Sequence, residues 1–261
     1  AVLGGKAPTT SMLNSLVRVC VYADSPSVAA LDAVRRCEEL GAVADGETVV
    51  RLLGACAASA DTASAQCALS FAQERAIPLS TPAHVALLHC YLAAAAGARR
   101  SATAARALPE QRRSSRLRVS HKAAPRPSEQ PGTLDVAAGS AQLSPSESAR
   151  ALHEVAASTL ELALHHYEAV KADVNFGKGT RKRLLRDCAK CDQVDAALRV
   201  LEDMEARGEK PGWKALDCLV LALHQAGEVD GETMTLWREG GKPSRVSWEG
   251  TRGFNLDPGP R

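Results

Sequence analysis

KGTRKRLLRDCAKCDQVDAALRVLEDMEARGEKPG, residues 178–212, is the stretch that decides the predicted fold. It predicts two short helices joined by a polar turn, and Gly208 and Pro211 mark the end of the second helix. Each helix carries an apolar stripe at the spacing that places side chains on one helical face. The stripes comprise Leu184, Leu185 and Cys188 on the first helix and Ala197, Leu198, Leu201 and Met204 on the second. Because one hairpin cannot bury two apolar faces by itself, this pattern predicts stacking on further copies.

Further copies are present in the sequence. Leu184 is followed 35 residues later by Leu219, in the same context, and the Val-Asp pair at 194–195 recurs at 229–230. Upstream, the apolar pair of the first helix of each repeat begins at Leu16, Leu52 and Leu87. We call the first helix of a repeat helix A and the second helix B. The sequence therefore predicts about five helix-turn-helix repeats, which begin near residues 10, 46, 81, 178 and 213.

The repeat resembles that of the pentatricopeptide repeat (PPR) family. The resemblance rests on the 35-residue period, the apolar pair in the first helix, Ala-Leu and Met in the second, and a closing Gly-x-x-Pro. It is closest over residues 178–230. It implies an all-α fold, a right-handed α-solenoid of about five repeats. The tetratricopeptide repeat has a 34-residue period and a W-x-x-L-G-x-x-Y opening, which neither clear repeat shows.

The period is interrupted after the third predicted helix A. Between Arg99 and Arg126 there are eight Arg and one Lys against the single acid Glu110. Clustered like charge and low apolar content predict a disordered basic insertion over 96–147. We expect four segments: repeats 1, 2 and helix A of repeat 3 (10–95), the insertion (96–147), helix B of repeat 3 and repeats 4–5 (148–244), and an irregular tail (245–261). The alternative for the insertion is an extra repeat with a degenerate helix A at 146–157.

Composition narrows the protein class. Aromatic residues make up only 3% of the 261 residues, which suits closely packed Ala-rich helices better than an enzyme with a large cavity. Cys20, Cys56 and Cys188 fall at one place near the end of helix A, which indicates small buried side chains in a reducing compartment rather than disulfides. No run of 18 apolar residues occurs, so no membrane span is expected.

The PPR resemblance implies candidate RNA-reading residues. In that family, the fifth residue of helix A and the last residue of the repeat meet one base. Repeat 1 supplies Asn14 and Asp45, a combination that favours uracil in the family. The other pairs fit poorly: Val50 with Ser80, Val85 without a clear partner, Lys182 with Gly212, and Asp217 with Ser244. The alternative is that Asn14 and Asp45 only start helices or cap them.

A cluster of basic residues opens the fourth helix A. It comprises Lys178, Arg181, Lys182, Arg183 and Arg186. A cationic helix face can follow RNA phosphates, whereas the plainer alternative is a solvated surface. By contrast, residues 10–80 hold 5 Lys and Arg against 8 Asp and Glu.

The sequence gives little support for a catalytic or metal-binding function. Cys188 and Cys191 have C-x-x-C spacing, but no second pair completes a zinc site. The paired His165 and His166 point apart on a helix. No phosphate-binding loop, nucleophile elbow or H-E-x-x-H motif occurs. We therefore expect no enzyme activity, no metal and no cofactor.

Three functional hypotheses remain open. The first, implied by the resemblance, is a non-catalytic mitochondrial or plastid protein that binds single-stranded RNA or rRNA on a concave surface. The second is a structural subunit of a large organellar assembly such as a ribosome, with protein partners and a basic insertion that reaches into rRNA. The third is a tetratricopeptide-like adaptor without a role in RNA.

Overall fold

The computed structural model describes residues 7–119, 144–230, 245–248 and 254–257. Nine helices and two strands lie in these ranges. They are α1 (Thr10–Cys20), α2 (Pro26–Glu39), α3 (Gly46–Ser59), α4 (Thr62–Glu74), α5 (Thr81–Val119), α6 (Pro145–Val170), α7 (Lys178–Lys190), α8 (Val194–Ala206), α9 (Trp213–Gln225), β1 (Arg245–Trp248) and β2 (Phe254–Asp257). Within the described part of the chain, no helix is both long and apolar enough to cross a membrane.

Left-handed residues close the helices at recurring positions. The second helices of three hairpins are followed by Gly41, Ala76 and Gly208, all with positive φ. At each of them the next amide donates back to a carbonyl in the last helical turn, for example Glu209 N to Met204 O at 2.8 Å. This closure satisfies carbonyl groups that the helix itself leaves unpaired. It makes these three hairpins end at the same point of the repeat.

The helices form an all-α repeat array over residues 7–230. The first helices of the hairpins, α1, α3, α5, α7 and α9, contact one another in series, and we call this series the A row. The second helices pack against the A row, α2 on α1 and α3, α6 on α5, and α8 on α7. One continuous core runs through all of them, with Leu52, Leu88, Tyr167, Leu184 and Leu219 fully buried. The predicted all-α solenoid of about five repeats is confirmed in its helical hairpins.

The third hairpin departs from the predicted boundaries. Helix α5 continues unbroken to Val119, so residues 96–119 are helical and not part of a disordered insertion. The reason is composition: Ala and Arg are among the strongest helix formers, and they dominate this stretch. Helix α6 likewise starts at Pro145, where Ser144 and Glu147 form a capping box. Residues 146–157 are part of this single helix, and 120–143 lie outside the described residues.

The C-terminal residues form a β-hairpin where an irregular tail was expected. β1 and β2 pair antiparallel, with Arg245 opposite Asp257 and Trp248 opposite Phe254. The sequence alternates apolar and polar residues in both segments, RVSW and FNLD, which is the period of a strand. The prediction of an irregular tail was wrong because each strand is only four residues long and is flanked by Gly or Pro, which are typical of irregular structure. Residues 231–244, which include the predicted second helix of repeat 5, lie outside the described part.

Candidate nucleic-acid interface

The predicted pair Asn14 and Asp45 meets at the junction of the first two hairpins. Asn14 Nδ2 donates to Asp45 Oδ1 at 3.2 Å. Thr48 joins them: its Oγ1 lies 2.7 Å from Asn14 Oδ1 and 2.9 Å from Asp45 Oδ1. A hydroxyl has one hydrogen, so Thr48 Oγ1 donates to one of these oxygens at a time. The three side chains form one hydrogen-bonded cluster that fixes the orientation of the Asn14 amide.

Asp45 also caps a helix, as the alternative interpretation held. It is the N-cap of α3, and its carboxylate accepts from the backbone N–H of Thr48 at 2.9 Å. Partial burial raises the pKa of Asp45, but the hydrogen bonds from Thr48 and Asn14 outweigh this effect and hold its pKa below the ordinary value. Asp45 therefore stays ionised at neutral pH, with one carboxylate oxygen committed to α3 and to Asn14.

The corresponding pair of the fourth repeat has the same arrangement. Lys182 lies beside Gly212, with its Cδ 3.7 Å from the position that a Cβ on Gly212 would occupy. The fifth residue of helix A and the last residue of the repeat are thus neighbours in both repeats. In the other repeats, Val50 and Val85 are partly buried against the core, Asp217 is exposed on α9, and Ser244 lies outside the described residues.

Arg181 is not part of a nucleic-acid surface. Its guanidinium forms a bidentate pair with Glu209, in which Nε donates to Oε2 at 3.0 Å and Nη2 donates to Oε1. The side chain of Arg181 is only 3% exposed. The basic cluster predicted at the start of α7 is therefore incomplete, since one of its five cations points inward to hold the end of α8. A pairing across 28 residues cannot be read from the local sequence.

Two further cations of that cluster surround a buried carboxylate. Arg183 Nε and Arg186 Nε each lie 3.6 Å from Asp187, whose side chain is 3% exposed. Arg99 of α5 approaches the same carboxylate at 3.7 Å. Three guanidinium groups thus share one carboxylate, which leaves an excess of positive charge along α5 and α7. Arg99 belongs to this group, although the sequence placed it in the insertion.

The opposite charge is found on the second-helix side at α6 and α8. A groove of about 630 Å³ lies between α6, the start of α8 and the residues after α9. Its charged lining comprises Glu161, Glu168, Asp192, Asp195 and Glu228, with Arg199 and His165. Five carboxylates against one guanidinium repel phosphate groups. Polyanions are therefore favoured along α5 and α7 of the A row and disfavoured here.

His84 and His166 form a contact that sequence reasoning missed. The two rings stack with centroids 5.2 Å apart, and His84 Nδ1 lies 3.4 Å from His166 Nε2. Burial, followed by the neighbouring His84, lowers the pKa of His166 to about 4, so the pair is neutral at physiological pH. Within the described ranges, no cluster of three or more His, Cys, Asp or Glu side chains is arranged to hold a metal ion. Cys188 is buried, and its burial raises the pKa of the thiol.

Comparisons with known proteins found matches among solved structures. No protein-family profile and no curated protein matches the chain. Among solved structures, the chain is similar to the crystal structure of the pentatricopeptide repeat protein PPR10 from maize, at 16% identity and a TM-score of 0.41, over 91% of this chain and 30% of that chain. It is also similar to PPR10 in complex with an 18-nt psaJ RNA element, at 14% identity and a TM-score of 0.30, over 91% of this chain and 45% of that chain.

The chain thus spans less than half the length of these proteins. The fold is defined by the hairpins of the chain itself, with their 35-residue period, their helix closures and their continuous A row. The chain is an all-α helical-repeat protein. Its A row carries the Asn14–Asp45 cluster at one end and the excess of positive charge on α5 and α7 further along.

Proposed function

We propose that this protein is a non-catalytic RNA-binding protein that holds single-stranded RNA along its A row. The observation that carries the proposal is the Asn14–Asp45 contact at 3.2 Å, which joins two residues that lie 31 positions apart in the sequence. Asn14 is half-buried and Asp45 is exposed, so the hydrogen-bonded cluster is open to a ligand.

The chemistry of the cluster suits the edge of a base. An amide nitrogen carries two hydrogens, and Asp45 accepts one of them. Within the described part of the chain, the second hydrogen of Asn14 makes no hydrogen bond, so it can donate to a carbonyl oxygen of uracil. Recognition of one base by two or three side chains of a helical repeat is an established mode of reading RNA.

The backbone of the RNA would be held by charge. Lys182 lies at the position in the fourth repeat that Asn14 occupies in the first, and Arg183 and Arg186 stand one and four residues further along the same helix. These groups can neutralise phosphates but cannot distinguish one base from another. We therefore propose base reading at the first hairpin junction and sequence-independent contact at the fourth.

PPR10, to which the chain is similar in fold, has been solved in complex with an 18-nt RNA element. The proposal takes the same class of ligand for this chain. As the family resemblance implies, we propose that the protein acts in a mitochondrion or a plastid.

A structural role in an organellar assembly, such as a mitochondrial or plastid ribosome, is the second candidate function. It is favoured by the helical extension of α5, where Arg100 and Arg106 are exposed beyond the core of the third hairpin. It is also favoured because only one of the five candidate base-reading pairs, Asn14 with Asp45, fits the family pattern. In this role, α5 would contact rRNA without sequence preference and the hairpins would contact protein.

A binding assay distinguishes the two roles. Fluorescence anisotropy would compare oligo-U and oligo-A of equal length on wild type, Asn14→Ala and the exposed control Asn175→Ala. A base reader prefers oligo-U and loses roughly tenfold in affinity with Asn14→Ala, which corresponds to one hydrogen bond of about 1.4 kcal/mol. Equal affinity for both oligonucleotides, unchanged in both variants, would contradict base reading and favour the assembly role.

A further inference from the structure

A buried carboxylate on α7 gathers three guanidinium groups from two helices. The side chain of Asp187 is 3% exposed, and one of its oxygens lies 3.7 Å from Arg99 Nη2 of α5. Its oxygens also lie 3.6 Å from the Nε atoms of Arg183 and Arg186. These separations exceed the usual length of a hydrogen bond, so charge holds the group together. Within the described part of the chain, Asp187 Oδ2 and Arg186 Nε are buried and make no hydrogen bond. We call these four residues the arginine cluster.

The arginine cluster has a net charge of +2, because three guanidinium groups share one carboxylate. The next charged groups do not change this balance. Burial raises the pKa of the Cys218 thiol on α9, and four charges around the thiol also act on it, those of Lys190, Asp217, Arg186 and Arg99. Lys190 and Asp217 thus add one base and one acid beside the cluster, and the sum stays at +2.

The guanidinium groups of the cluster can be reached from solvent. The side chains of Arg99, Arg183 and Arg186 are 20%, 33% and 39% exposed, whereas the carboxylate that they share is buried. Arg183 and Arg186 approach Asp187 through Nε, so their terminal Nη nitrogens lie further from the carboxylate. A guanidinium group can hold two oxygens of a phosphate with two of its nitrogens. The cluster therefore offers donors from two helices to one partly enclosed anion.

We propose that the arginine cluster binds the phosphate monoester that ends an RNA strand. This inference rests on the proposed RNA-binding function, and it specifies which phosphate of the strand meets Arg183 and Arg186. A terminal phosphate carries roughly −1.5 to −2 charges at pH 7, whereas a phosphodiester within the strand carries about −1. The terminal group thus matches the charge of the cluster more closely, and partial burial strengthens the attraction of the additional charge. Asp187 is a positioning residue that holds three like-charged groups together.

Fluorescence anisotropy on the full chain tests the preference for a phosphorylated end. Three oligo-U strands of equal length, each with an internal fluorophore, carry a 5′-phosphate, a 3′-phosphate or hydroxyl groups at both ends. We expect one phosphorylated strand to bind roughly tenfold more tightly than the hydroxyl-ended strand. Arg99→Gln should remove this preference. The control Arg150→Gln, at an exposed position of α6 in the same hairpin, should keep it.

The preference is a ratio between two ligands of one variant, so a partial loss of folded Arg99→Gln protein would lower both affinities and leave the ratio unchanged. Equal affinity of the wild type for all three strands, or a preference that survives Arg99→Gln, would overturn the proposal. Titration calorimetry with inorganic phosphate separates a free anion from an RNA end. Inorganic phosphate that binds the wild type, while the ends of the RNA make no difference, would also overturn it.

The same assay separates this inference from base reading. Asn14→Ala should lower the affinity for all three oligo-U strands and leave the ratio between phosphorylated and hydroxyl ends unchanged. A protein that prefers phosphorylated ends but does not distinguish oligo-U from oligo-A would support the arginine cluster and contradict base reading alone. The opposite result, a preference for oligo-U without a preference for a phosphorylated end, would overturn this inference alone.

Discussion

Arg181 and Glu209 form a bidentate ion pair that joins the start of α7 to the end of α8. Glu209 follows Gly208, the left-handed residue that closes α8, so the pair fixes the point where the fourth hairpin ends. The side chain of Arg181 is buried and that of Glu209 is 16% exposed. The hydrogen bonds from Arg181 lower the pKa of Glu209 despite its partial burial.

Loss of Arg181 should therefore destabilise the fold. Arg181→Ala leaves the Glu209 carboxylate without its partner, and we expect a loss of roughly 3 kcal/mol in the free energy of unfolding. Urea denaturation followed by circular dichroism measures it. The control Lys178→Ala, at an exposed position of the same helix turn, should stay within about 0.5 kcal/mol of wild type. If both variants unfold alike, the pair has no structural role.

The helix closures predict a matched pair of glycine substitutions. Ala76 adopts a φ of 52°, which costs an alanine about 1 kcal/mol relative to glycine. Ala76→Gly should thus stabilise the protein, and Gly208→Ala, at the same place in the fourth hairpin, should destabilise it by a similar amount. Thermal unfolding of both variants gives the comparison. Shifts of the same sign would show that the closures are not equivalent.

Asp61 predicts an acid-sensitive contribution to stability. Its carboxylate accepts from Ser27 Oγ at 2.7 Å and Ser64 Oγ at 2.6 Å, and it caps α4 through Ser64 N. These hydrogen bonds lower the pKa of Asp61 below 3.8. Because the folded pKa is depressed, the contribution is fully present above the unfolded pKa and is lost as pH falls through the folded one.

Asp61→Asn isolates this contribution, since Asn keeps an N-cap acceptor but has no charge. We expect the variant to be less stable than wild type at pH 7, and the difference to shrink as the pH is lowered below 3.8. Urea denaturation at a series of pH values measures the difference. If the difference in unfolding free energy between wild type and the variant stayed constant with pH, the charge of Asp61 would contribute nothing to stability.

Lys182 should contribute to RNA affinity through charge. The slope of log affinity against log salt changes by about 0.7 for each phosphate neutralised on a single strand. Lys182→Ala should reduce the slope by that amount for oligo-U and oligo-A alike. Lys171 provides the control, because it is paired with Glu168 at 2.5 Å on α6. If Lys171→Ala reduced the salt slope as much as Lys182→Ala does, the RNA would not lie specifically against Lys182.

Local periodicity was sufficient to predict most of the helices and their stacking. Leu16, Leu52, Leu87, Leu184 and Leu219 recur at one helix position, and the last four are buried in the core as a helical repeat requires. The neighbouring placement of Asn14 and Asp45 followed from the family resemblance. In that family, the fifth residue of helix A and the last residue of the same repeat meet one base.

Long-range pairing and helix length could not be predicted in the same way. The inward turn of Arg181 depends on Glu209 at the far end of the hairpin, and the burial of Asp187 depends on Arg99, 88 residues away in sequence. The length of α5 depends on the intrinsic helix propensity of an Ala- and Arg-rich stretch that has little apolar periodicity. Each of these features lacks a local sequence signal at the period of the repeat.

The central claim is that a base lies against Asn14 and Asp45, and site-directed crosslinking tests it most directly. Oligo-U that carries one 4-thiouridine is bound to the full chain, irradiated and mapped to residues by mass spectrometry. The account predicts crosslinks within residues 10–50, which are lost with excess oligo-U and reduced by Asn14→Ala. Two results would contradict it: crosslinks confined to residues 99–119, or a yield of crosslinks no higher than that in the presence of an oligo-A competitor.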